Sequence, residues 1–188
     1  MGLSLSSMAS ELGCSERTLR RYFNEGLVRG ERRGGRGEIW APPSEELYLR
    51  RHWELLSALR GALRTEPSVS LAVLFGSTAI GEERPDSDVD LLIDHAAAGT
   101  IDALRLQRRL RERIGKEVHL VLLQDAEGSP DLLADILGEG RVIVNRGRAW
   151  DLLLARRGQT FDAADAESQA THAAAWRAID EARERLKA

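Results

Sequence analysis

Leu71-Ala72-Val73-Leu74-Phe75-Gly76-Ser77, then ten residues, then Asp88-Val89-Asp90-Leu91-Leu92-Ile93 is the stretch that decides the fold. An apolar run closes on a Gly-Ser pair, and an Asp-x-Asp pair opens a second apolar run. Short apolar runs bounded by turn residues read as buried strands. Side chains i and i+2 of a strand share a face, so Asp88 and Asp90 stand side by side. Two neighbouring carboxylates repel, and keeping both ionised calls for a cation. Oxygen ligands of this kind suit Mg²⁺, commonly held by one or two carboxylates plus substrate phosphates. The glycine and small hydroxyl at the end of the first strand let backbone N–H groups approach a phosphate closely.

Gly76-Ser77, a ten-residue gap and Asp88-x-Asp90 together resemble the signature of the minimal nucleotidyltransferases of the polymerase-beta superfamily. The intervening loop, with Gly81, Arg84, Pro85 and Ser87, fits the same pattern. The resemblance runs from about Ser68 to Asn145. It implies a small mixed sheet flanked by helices, with Asp88 and Asp90 holding Mg²⁺ against the triphosphate of ATP or a similar nucleotide. Gly76 and Ser77 would seat the distal phosphates, and Arg84 would neutralise charge from the loop. The family carries a third carboxylate on a later strand. Here the matching strand, Lys116–Leu123, offers Val118-His119-Leu120. Glu117 shares the face of His119 by alternation, but one strand repeat, roughly 6–7 Å, is too far to take its place. Asp125 falls in the loop after that strand. Two functional readings of His119 stay open: a ligand or proton acceptor, or the mark of a site that binds nucleotide without turnover. A third is a histidine that merely fills a strand position.

Length and composition set the outer bounds. The 188 residues fit one large domain or two small ones. The net charge of −3 hides a local excess. Between Arg17 and Arg36 stand seven Arg (Arg17, Arg20, Arg21, Arg29, Arg32, Arg33 and Arg36) against Glu25 and Glu31, a balance of 7 − 2 = +5. A single cysteine, Cys14, excludes an internal disulfide and fits a reducing cytoplasm. No apolar run reaches the ~20 residues of a membrane span, and no basic start leads into a signal-peptide core. Met1-Gly2 with Ser6 formally matches a myristoylation pattern, which we assign to chance because those residues have a better use in a first helix.

That use is DNA binding. Ser6 or Ser7 is expected to cap a helix through Leu12, with Met8, Ala9 and Leu12 inward. Gly13-Cys14 turns the chain, and Ser15 caps a second helix, Glu16 to about Asn24, with Leu19 and Phe23 on its core face. Gly26-Leu27-Val28-Arg29, a Gly/Arg tip from Gly30 to Gly37 and Glu38-Ile39-Trp40 then read as a hairpin wing. The order resembles MerR-type winged helices, over about residues 3 to 42, and implies phosphate contacts by the seven Arg. The bland reading is a helical module docking a protein partner.

The remaining elements follow from breaks and periodicity. Pro42-Pro43 breaks the chain, and Ser44 is expected to cap a helix to about Leu63, with Leu49, Trp53, Leu56 and Leu63 on one face. That helix joins the domains or pairs with its copy, since helix-turn-helix proteins usually bind DNA as dimers. Strands are expected at Ser70–Phe75, Val89–Asp94, Glu117–Leu123 and Val142–Asn145, and helices after Gly76, at Ile101–Ile114 and at Asp131–Leu137. The Arg-rich middle helix reads as a solvated face. From Trp150 the tail reads as helical, with Trp176, Ile179 and Leu186 on one stripe, interrupted by a mobile connector at Asp162–Glu167. The expected fold is thus α/β (α+β). A winged helix-turn-helix (1–43) and a connecting helix (44–66) precede a nucleotidyltransferase domain (67–146) and a C-terminal helical segment (147–188). The two resemblances together imply an adenylylating antitoxin whose acceptor is a HEPN-type toxin and whose operator it represses. The competing reading is a regulator whose degenerate domain senses nucleotide. Modification of a small molecule such as an aminoglycoside is disfavoured by the DNA-binding part.

Overall fold

Val69–Phe75 (β4) contributes Val69 and Leu71–Leu74 as buried side chains on both faces, which places it inside a sheet. The computed structural model describes residues 3–33, 38–95 and 100–187. Before β4 run β1 (Leu3–Ser4), α1 (Leu5–Glu11), α2 (Glu16–Glu25), β2 (Glu31–Arg33), β3 (Glu38–Ala41) and α3 (Pro43–Arg64). After it come α4 (Gly76–Ile80), β5 (Val89–His95), α5 (Thr100–Ile114), β6 (Val118–Leu122), α6 (Leu123–Ala126), α7 (Pro130–Glu139), β7 (Arg141–Asn145), α8 (Ala149–Ala155) and α9 (Arg157–Lys187).

The main sheet has the order β6-β5-β4-β7. β4 is antiparallel to both neighbours, and β5 and β6 are parallel, with α5 as their crossover. The register sets Phe75 opposite Asp90 and Asp90 opposite His119. Three residues from three strands therefore meet at one end of the sheet. The strand, helix and sheet elements agree with the sequence expectation of a small mixed sheet flanked by helices.

Four local expectations are corrected. α1 is capped by Ser4, not Ser6 or Ser7: Ser4 Oγ accepts from the Ser7 N–H at 3.4 Å. Pairing of Leu3 with Ala41 and Ser4 with Trp40 holds Ser4 extended just before the helix, the geometry a cap needs. α3 starts at Pro43, not at a Ser44 cap, because proline's fixed φ suits the first helical position. Asp125 lies in the short helix α6 rather than a loop. Asp162–Glu167 is not a connector but part of the continuous helix α9, and Ala164 packs at 8% exposure. Alanine and glutamate favour helix enough to carry the acidic stretch.

α3 buries Leu49, Leu56, Leu59 and Leu63 almost completely, each worth about 1.5–3 kcal/mol of transfer free energy. Trp53, half-buried, lies against Tyr22 of α2 with ring centroids 5.9 Å apart. Arg60 donates to the Ile143 carbonyl at 2.8 Å, pairs with Glu25 and covers the Tyr22 ring. Arg146 closes the far end of α3 by donating to the carbonyls of Glu66 (2.6 Å) and Arg64 (3.1 Å). The N-terminal elements thus rest on α3 and on β7, where the Val142 N–H donates to the Gly26 carbonyl at 3.2 Å. Arg36 lies outside the described residues, as do the side chains of Trp176, Ile179 and Leu186. No helix among the described residues is long and apolar enough to cross a membrane.

Candidate active site

β4 delivers the chain into Gly76 at φ 69°, a left-handed conformation that side chains disfavour. Space requires glycine here as well: a Cβ at Gly76 would stand 2.7 Å from Asp90 Oδ2. α4 follows at once, with Gly76 as its first residue, so the helix starts directly against the Asp90 carboxylate. Thr78 Oγ1 donates to the Asp88 carbonyl at 3.2 Å and ties α4 to the start of β5.

Asp90 lies on β5 and Asp88 stands just before it, with 30% and 37% of their side chains exposed. His119 reaches both. Its Nε2 is 3.5 Å from Asp88 Oδ2 and its Nδ1 is 3.5 Å from Asp90 Oδ1. The imidazole is 62% exposed, so it forms the solvent-facing wall of the site. Burial pushes the Asp90 carboxyl above its ordinary value of 3.8 and the Asp88 charge adds to this, while His119 opposes. A carboxylate in that position gains from a cation, and two carboxylates with an adjacent imidazole are donors that a divalent ion accepts. Among the described residues no closed cluster of three or more His, Cys, Asp or Glu is arranged around a metal position. The pair fits an ion that draws its remaining ligands from substrate and water.

Glu117 takes no part: it pairs with Arg111 at 2.6 Å. Asp125 is exposed on α6. Arg84 is exposed in the loop after α4, where its N–H donates to Ser87 Oγ at 2.8 Å and closes a tight turn. No local pattern announces what holds that loop. Glu83 accepts from Arg51 at 2.7 Å and meets His52 Nε2 at 3.0 Å, both on α3. Tyr48, also on α3, donates to the Thr78 carbonyl at 3.1 Å. Burial pushes the Tyr48 hydroxyl up to about 12, so it remains a donor.

The arginines of the N-terminal elements divide into two groups. Arg17 and Arg21 are exposed on α2, with Arg20 beside them bound to Glu16 at 2.7 Å. Arg32 donates to Asn24 Oδ1 at 2.7 Å and Arg33 pairs with Glu31, both exposed at the hairpin. Arg29 instead turns inward: its side chain donates to the Glu139 carbonyl and its N–H donates to Glu45 at 3.0 Å. Burial and the nearby Arg141 charge lower its basicity.

Comparison with known proteins bears on the fold. Residues 58–149 match the family described as polymerase beta, nucleotidyltransferase. A solved toxin–antitoxin structure with AMP-PNP superposes with a TM-score of 0.55 at 24% identity, covering 64% of this chain and 98% of that one. The toxin–antitoxin MntA–HepT gives 0.52 at 21% identity, covering 66% and 98%. A structure from Shewanella oneidensis gives 0.50 at 17% identity, covering 65% and 98%. No curated protein matches the chain. At these identities the likeness establishes a shared fold.

Proposed function

We propose that the protein is a Mg²⁺-dependent nucleotidyltransferase that moves AMP from ATP onto a partner, and that its N-terminal elements bind operator DNA. The observation that carries the first part is the meeting of Asp88, Asp90 and His119, with Asp90 set against Gly76 at the end of β4. Asp88 and Asp90 would hold the divalent ion, which when bound neutralises the triphosphate and polarises the phosphoryl group. Gly76 and Ser77 set backbone against the distal phosphates, and Arg84 supplies positive charge from its loop. An acceptor hydroxyl gives its proton to His119, its oxygen forms the new bond to the α-phosphorus, and the bond to pyrophosphate breaks.

Two of the matched structures are toxin–antitoxin assemblies, one of them with AMP-PNP, which supports a protein acceptor. The HEPN-type toxin that the family resemblance implies is the acceptor we propose. Arg17, Arg20, Arg21, Arg32 and Arg33 support the DNA reading, with Arg36 added from the sequence. A homodimer would present two such surfaces to a two-fold operator. One observation favours a second reading, a regulator that binds nucleotide without transfer: an imidazole stands where relatives are expected to carry a third carboxylate.

The test is transfer of label from ATP marked at the α-phosphate to a co-expressed HEPN-type partner. Labelling by the natural protein, lost on Asp88→Ala, is expected. Labelling seen only with His119→Asp would favour the regulator.

A further inference from the structure

Glu45 on α3 and Arg141 on β7 are 3% and 2% exposed and lie outside the candidate site. They pair through two bonds, Nη1 to Oε1 at 2.7 Å and Nη2 to Oε2 at 2.8 Å. A buried ion pair is weak evidence for stability, because desolvation offsets much of the attraction. What the remaining bonds orient is more telling. Arg141 Nε donates to the Ala79 carbonyl of α4 at 2.7 Å. Arg141 Nη1 also donates to the Leu27 carbonyl at 3.2 Å, and Glu45 Oε1 accepts the Arg29 N–H at 3.0 Å. The guanidinium lies 3.4 Å from the centroid of Tyr48, whose hydroxyl holds the Thr78 carbonyl, again on α4. The next residue of β7, Val142, donates to Gly26.

A guanidinium is planar and its donors point in fixed directions. Movement of the α4 carbonyl must therefore rotate the same group that holds Leu27. We infer that the Glu45–Arg141 pair is a shared anchor that positions α4, with Gly76 and Ser77, against segment 26–29, so that nucleotide bound at α4 is felt where the chain leaves α2 for the hairpin. Both are positioning residues, since neither reaches the site. The inference rests on the nucleotide site proposed above.

Hydrogen exchange of the full chain with and without Mg-ATP tests it. The amides of Leu27, Val28 and Arg29 are all hydrogen-bonded and so report opening of that segment. Mg-ATP should slow their exchange about fivefold or more, the lower end of ordinary coupling, along with that of α4. Glu45→Gln should abolish the effect at 27–29. Glu45→Met/Arg141→Met removes the pair without leaving a lone buried charge and should do the same if the single variant fails to fold. Leu56→Ala, elsewhere on α3, lowers stability but should keep the response, which a merely structural role for Glu45 would not distinguish. Protection at α4 with no change at 27–29, or an unchanged response in the Met pair, would overturn the anchor. If Mg-ATP protects nothing, the nucleotide reading fails, and the anchor is judged without ligand. The Met pair must then speed exchange at both α4 and 27–29, and an effect at one end alone overturns it.

Discussion

Gly76 carries two constraints at once, a left-handed backbone and a Cβ position 2.7 Å from Asp90 Oδ2. Gly76→Ala must strain the backbone or push Asp90 aside. The variant should lower Tm by several degrees, at roughly 2–4 °C per kcal/mol for a chain of this size, and weaken Mg-ATP binding at least about tenfold, or about 1.4 kcal/mol. Thermal scans and titration would read both. Asp90 makes a prediction of opposite sign. Its folded-state pKa is raised, so the native protein holds the proton more tightly than the unfolded chain. The stability this gives is present below the ordinary value of 3.8 and is lost as pH rises through the raised native value. Asp90→Asn should therefore match the natural protein in acid and melt higher, by roughly 1–4 °C, near neutrality, while Mg²⁺ raises the Tm of the natural protein alone. The two aspartates and the glycine were legible because strand alternation and turn chemistry are local. Thr78, Tyr48 and Glu83 were not, because their partners are distant in sequence.

Among the elements, α2 was legible almost to the residue. Ser15 lies extended just before it and its Oγ accepts from the Thr18 N–H at 3.1 Å. Ser15→Ala should cost about 1 kcal/mol, or roughly 2–4 °C in Tm, without changing Mg-ATP affinity. The cap of α1 was misplaced because serines occupy positions 4, 6 and 7 and only the pairing of β1 with β3 selects among them. The connector expected at 162–167 was read from acidity, whereas helix propensity and one packed alanine decide its conformation. α3 was read as a joiner or a dimer element. Its buried face is occupied within the chain, by β7, α5 and the Tyr22 ring of α2.

Over the whole molecule, the sheet order and the seating of the N-terminal elements on β7 depend on contacts such as Arg141 with Leu27, which no local pattern announces. The exposed arginines should give duplex DNA binding that weakens with salt. Arg17→Ala/Arg21→Ala should reduce the slope of log affinity against log salt by about 1.8, measured by fluorescence anisotropy. Arg29→Ala, an inward residue, should lower Tm instead. The central claim is that Asp88 and Asp90 form a working Mg-nucleotide site. Calorimetric titration of Mg-ATP into the full chain, beside Asp88→Ala/Asp90→Ala, tests it most directly. Binding by the natural protein that disappears in the double variant is the predicted result. No binding by the natural protein, or equal binding by both, would contradict it.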